Sequence, residues 1–109
     1  MKILFVTDYY YPHIGGVEKL FKSLAESLVE KGNKVSVITW RHERKLKKRD
    51  IINGVEIIRI NSFSRAFFSI SGLTEIISLA KKSDLIHTST YSSALGAYIA
   101  SQLTKTKII

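Results

Sequence analysis

The sequence contains no cysteine. Disulfide bridges and cysteine-ligated metal are therefore excluded, and the composition fits a reducing compartment. Acid is scarce: 9 Asp and Glu stand against 17 Lys and Arg, a formal net charge of +8. Such an excess points to anionic partners, whether phosphate groups, acidic lipid or nucleic acid. No apolar run approaches the roughly 20 residues a membrane-spanning helix needs. Met1-Lys2 leads straight into an apolar stretch without a small-residue cleavage site, so no signal peptide is expected. No spacing of His, Asp or Glu suggests a metal site. Proline occurs once, as Pro12. Internal repeats and low-complexity linkers are also absent.

What is present is 109 residues, 45% of them hydrophobic, enough for one small domain with a core. The organising stretch is the first 18 residues, MKILFVTDYYYPHIGGVE. Ile3 to Val6 read as a strand buried on both faces. Polar and aromatic residues, Pro12 and the pair Gly15-Gly16 follow. A helical pattern then begins, with Val17, Leu20, Phe21, Leu24 and Leu28 on one face. Glycines at a helix start let another group approach the backbone closely. The free N–H groups and the positive end of the dipole there suit a phosphate. The alternative is a plain turn needing positive φ, and spacing alone does not choose between them.

The first helix should run to Lys31 and stop at Gly32. A second strand is expected over Lys34 to Trp40, followed by a charge run, Arg41 to Asp50. Asn53-Gly54 marks a turn, and Val55 to Ile60 a third strand. Asn61 to Ser71 reads as a loop or short helix carrying Phe63, Phe67 and Phe68. A helix over Leu73 to Lys82, a strand over Asp84 to Thr88 and a helix over Ser92 to Leu103 complete the pattern. Lys107 to Ile109 begins a fifth strand, which reads as cut off, so a piece of a longer protein is expected. Alternating strands and helices predict an α/β fold: a parallel, Rossmann-like sheet of order 3-2-1-4-5 with helices on both faces. In that order the loops after strands 1 and 4 diverge and leave a ligand crevice at their carboxyl ends.

The glycine loop lacks the three spaced glycines of a dinucleotide fingerprint, and strand 2 ends in Thr39-Trp40-Arg41 without a carboxylate for a ribose. A nicotinamide enzyme is therefore disfavoured. Glu18 either stabilises the helix N-terminus or faces the crevice to meet a sugar hydroxyl or a cation. His13 reads as an exposed loop residue rather than a base. His87 ends the fourth strand near the switch point; the competing reading is a partly buried structural histidine, and nothing completes a catalytic triad. Arg41, Arg44, Lys45, Lys47, Lys48 and Arg49 form either a solvated loop or, with Phe63, Phe67 and Phe68, a surface for an anionic membrane. No helix-turn-helix or base-stacking strand supports nucleic-acid binding.

The blocks MKILFVTDYYYPHIGGVEKL, LAESLVEKGNKVSVIT, GVEIIRI and SDLIHTSTYSSALGAYIA resemble, in order, the N-terminal domain of family 4 retaining glycosyltransferases of the GT-B fold. The resemblance implies two Rossmann-like domains with the active site between them. It implies that Gly15 and Gly16 lie against the diphosphate of a nucleotide-sugar donor, with no tightly bound cofactor. Nucleotide and sugar would be held mainly by a C-terminal domain that this chain does not contain. The N-terminal domain would receive a hydroxyl acceptor, with Tyr9, Tyr10, His13, Glu18 and His87 on that side. Many members read H-x-H after strand 4, whereas here the residues are His87-Thr88-Ser89. The family's further active-site histidine follows strand 5, past Ile109. The implied parent is a hexosyltransferase, cytoplasmic and peripheral on the membrane, and this chain half a cleft without a catalytic residue of its own. The rival is a non-catalytic α/β module that binds an anionic ligand, membrane surface or protein partner.

Overall fold

A computed structural model describes residues 1–7, 16–41, 46–62, 72–88, 91–105 and 107–108, with 16–18, 91–96 and 107–108 by backbone only. The strands are β1 (Lys2–Thr7), β2 (Lys34–Trp40), β3 (Arg49–Ile52), β4 (Val55–Ile60), β5 (Leu85–Thr88) and β6 (Lys107–Ile108). The helices are α1 (Gly16–Glu30), α2 (Leu73–Lys81) and α3 (Tyr91–Thr104). The sheet order is β3-β4-β2-β1-β5-β6. β4, β2, β1, β5 and β6 are parallel and reproduce the expected order.

The expected order omits β3, which pairs antiparallel with β4 at the sheet edge. Arg49 and Asp50 are its first two residues rather than the end of a charged loop. The hairpin forms because Asn53 and Gly54 both take positive φ, 51° and 84°, as a two-residue turn matched to strand twist requires.

The sheet has two apolar faces because its strand residues alternate. On one face Ile3, Phe5, Val35, Val37, Val55 and Ile57 pack with Phe21 and Ala25 of α1. On the other, Leu4, Val6, Ile38, Ile58, Ile60 and Ile86 meet Ile76 and Ala80 of α2 and Ala97 and Ala100 of α3.

The inward face of α1 differs from the expected one. Phe21 and Ala25 are buried and Leu28 and Val29 pack beside them, whereas Leu20 and Leu24 are 63% and 40% exposed. Side-chain burial at Val17 lies outside the described residues. The rotation of α1 has a visible tether: Asn53 Nδ2 donates to Glu26 Oε2 at 3.0 Å, and Lys22 Nζ holds the same oxygen at 2.9 Å. This links one flank of α1 to the β3–β4 turn and carries Leu20 and Leu24 away from it. Ala25 lets the helix approach the sheet closely.

Candidate active site

The switch point of the sheet lies between β1 and β5. From β1 the chain crosses through α1 to β2 on one side, while β5 lies on the other. α1 begins at Gly16 and α3 at Tyr91, so two helix N-termini follow the strands that border the crevice. Each carries amide N–H groups without intrahelical acceptors and the positive end of a helix dipole. A ligand with negative charge fits there.

Below this edge the α1 face turns polar. Thr7, Thr39 and Arg59 occupy one register row across β1, β2 and β4, and all three are buried. On β5, His87 lies opposite Phe5. Its ring sits 5.4 Å from that of Phe5 and 5.3 Å, edge-on, from that of Phe21. Burial lowers the His87 pKa from its ordinary value near 6.5, which favours the neutral imidazole. The structural reading of His87 therefore accounts for its surroundings, although the residue stays partly exposed.

Arg59 is absent from the residues that the sequence nominates, since a charged residue in a strand defaults to solvent. Its Nη1 donates to the Lys47 carbonyl at 3.0 Å and lies 3.6 Å from Asp50 Oδ2. Its backbone N–H donates to the Lys48 carbonyl at 2.6 Å. The signal available in the sequence is the placement of Arg59 on the apolar side of β4, in step with Val55 and Ile57.

Arg41 corrects the reading of the basic run as a uniform surface. Its Nε donates to the Leu46 carbonyl at 2.6 Å and its Nη1 to Asn61 Oδ1 at 3.2 Å. It is half-buried and ties the segment after β2 to that after β4. Trp40 Nε1 adds a bond to the Ser62 carbonyl at 3.1 Å. Lys47, Lys48 and Arg49 are exposed beyond these ties. Gly15, Tyr9, Tyr10, His13, Arg44, Lys45, Phe63, Phe67 and Phe68 lie outside the described residues, as does the side chain of Glu18. The structure thus brings Gly16 and His87 to one region of the sheet and sets Lys47, Lys48 and Arg49 toward its β3 edge.

Among known families, a model described as Glycosyltransferase Family 4 matches residues 14–109. The chain belongs to glycosyltransferase family 4. Among similar proteins is an uncharacterised protein of the cps region of Klebsiella pneumoniae, 42% identical over 72 residues, covering 65% of this chain and 19% of that protein. A human phosphatidylinositol N-acetylglucosaminyltransferase subunit is 33% identical over 55 residues, covering 50% of this chain and 11% of the other. A solved glycosyltransferase of Rickettsia africae superposes with a TM-score of 0.69 at 26% identity, over 98% of this chain and 28% of that one. The family 4 chain therefore spans less than a third of each of these proteins. No helix among the described residues is long and apolar enough to cross a membrane.

Proposed function

We propose that the chain is the acceptor-side half of a nucleotide-sugar-dependent, retaining glycosyltransferase. The observation that carries this reading is the start of α1 at Gly16, the first described residue after β1 at the switch point. A diphosphate set against that helix start meets free N–H groups and no side chain at Gly15 or Gly16. Negative charge grows on the diphosphate as the sugar leaves, so preset donors there lower the barrier rather than only bind the donor. Removing one such donor elsewhere typically costs about 10²–10³ in rate. In this reading the acceptor hydroxyl is received on the side assigned to His87, Glu18 and the residues Tyr9 to His13.

The test is Gly16→Val in the full-length parent, with transfer from a nucleotide sugar as the readout. The reading expects a folded enzyme with a rate lowered by about 10²-fold or more. A wild-type rate reduces the glycine pair to a turn.

The acceptor is lipid-linked in this reading. Two facts support it: the exposed Lys47, Lys48 and Arg49 at one sheet edge, and the phosphatidylinositol named in the human relative. Each basic residue near an anionic bilayer contributes about 1 kcal/mol within a Debye length. Binding to anionic vesicles that weakens with salt and is lost in Lys45/Lys47/Lys48→Glu is expected. Equal sedimentation with neutral and anionic vesicles refutes the lipid assignment and leaves sugar transfer standing.

A further inference from the structure

The opposite end of the sheet holds a second basic feature. α2 ends at Lys81, and Lys2 of β1, Lys34 and Ser36 of β2 and Glu56 of β4 lie at the amino ends of their strands, in step with the residues that face this helix. The space beneath the helix end is a cavity of about 230 Å³ lined by Lys2, Lys34, Lys82, Ser36, Ser83 and Glu56, with Ile3 and Leu79 behind them. Strand register sets Lys2 beside Lys34 and Ser36 beside Glu56. Six or seven residues of extended chain, about 20 Å, separate this site from the crevice.

The cations of this cavity, the ammonium groups of Lys2, Lys34 and Lys82, have no ionic partner among the described residues. The nearby carboxylate of Asp84 accepts the backbone N–H of Lys2 instead. A lysine at a helix C-terminus commonly serves the last carbonyls. Here the Leu79 carbonyl already accepts from Lys82 N–H and Ser83 Oγ, and the Ala80 carbonyl from Ser83 N–H. Ser36 is half-buried, and its hydroxyl has no protein partner among the described residues. Three lysines therefore line a concave space together with the unpartnered hydroxyl of Ser36.

We propose that this amino-edge cavity binds a small phosphorylated alcohol. The phosphate takes the three ammonium groups and the Ser36 hydroxyl, as charge-assisted hydrogen bonds favour. Glu56, the one carboxylate among the described lining residues, repels a purely anionic occupant. It accepts a hydrogen bond from a hydroxyl carried on the same ligand, which sets the chemical class. The volume lies below the roughly 300–1,000 Å³ of sites for drug-sized molecules, so the ligand is small. The site is independent of the sugar-transfer reading and stands or falls without it.

Amide-resolved NMR titration of the whole chain with glycerol 3-phosphate, and separately with inorganic phosphate, tests the proposal. Saturable shifts at Lys34, Ser36 and Ser83 are expected, with glycerol 3-phosphate the tighter ligand. Lys34→Gln/Lys82→Gln weakens binding by about tenfold or more, since each lost charge-assisted bond carries that order of effect. Shifts confined to Gly16 and its neighbours, or unchanged affinity in that variant, overturn the proposal. So does an equal loss in Lys47→Gln/Lys48→Gln, which removes the same charge from the other end of the sheet. If inorganic phosphate binds as tightly as glycerol 3-phosphate, the assignment to an alcohol ester is wrong.

Discussion

Asp50→Asn tests the buried guanidinium of Arg59. The Arg59 side chain is 2% exposed and that of Asp50 29%, and their charged atoms are 3.6 Å apart. At an effective dielectric of about 20, unit charges at that distance attract by roughly 4–5 kcal/mol. Three factors reduce the net loss. Asp50 is partly solvated, the asparagine retains an accepting oxygen, and Arg59 keeps its bond to the Lys47 carbonyl. Breaking a fully buried pair costs about 3–5 kcal/mol, so about 1–2 kcal/mol is expected here. For a domain of this size that lowers the melting temperature by roughly 5–10 °C. The assay is urea or thermal unfolding of wild type, Asp50→Asn, Arg59→Met and the double variant. The double variant should be less destabilised than the sum of the singles, because Arg59→Met removes the charge that Asp50 neutralises. Additive losses, or an Asp50→Asn variant within about 0.3 kcal/mol of wild type, would falsify the claim that Asp50 neutralises the buried guanidinium of Arg59.

Two further outcomes follow from the packing. A Cβ at Gly72 would meet Ile60 Cγ1 at 2.7 Å, so Gly72→Ala should cost about 1–3 kcal/mol in urea unfolding, and unchanged stability counts against the close approach. Burial lowers the His87 pKa, so the unfolded chain takes up a proton first as the pH falls below about 6.5. The stability that neutral His87 provides is complete above that value and is lost as the pH drops toward the folded pKa, by at most about 1.4 kcal/mol per pH unit. His87→Phe should remove this slope between neutral pH and about pH 5, and an unaltered slope assigns it to other groups.

The five parallel strands and their order are legible in the sequence because apolar runs and alternating helices leave few topologies. β3 is hidden because Arg49 and Asp50 carry charge where strand propensity is weak, although the Asn53-Gly54 turn beside it is plain. The face of α1 is ambiguous for a physical reason. Leu20 and Leu24 fit the helical spacing as well as Ala25 and Val29 do, and hydrophobicity favours leucine. The Glu26–Asn53 tether and the small side chain that allows close approach make the choice, and neither has a local signature. At the site, Gly16 and the switch point can be read from the chain. The inward face of Arg59 shows only in its step with Val55 and Ile57, and the partners of Arg41 and Arg59 cannot be read, because they are carbonyls that only the folded segment presents.

The hairpin of β3 and β4 has a kinetic consequence. Two residues join these strands, whereas the other described neighbours in the sheet close through much longer connections. Hairpins form in about 1–10 μs, and parallel pairings that close long loops come later. Asp50 and Arg59 belong to the two arms of that hairpin, so a counter-ion stands at hand before β2 pairs with β4 and the rest of the core closes. The cation therefore enters the core already neutralised, and the chain avoids a folding step in which a lone charge must leave water. Refolding of Asp50→Asn should be slowed as well as its native state weakened.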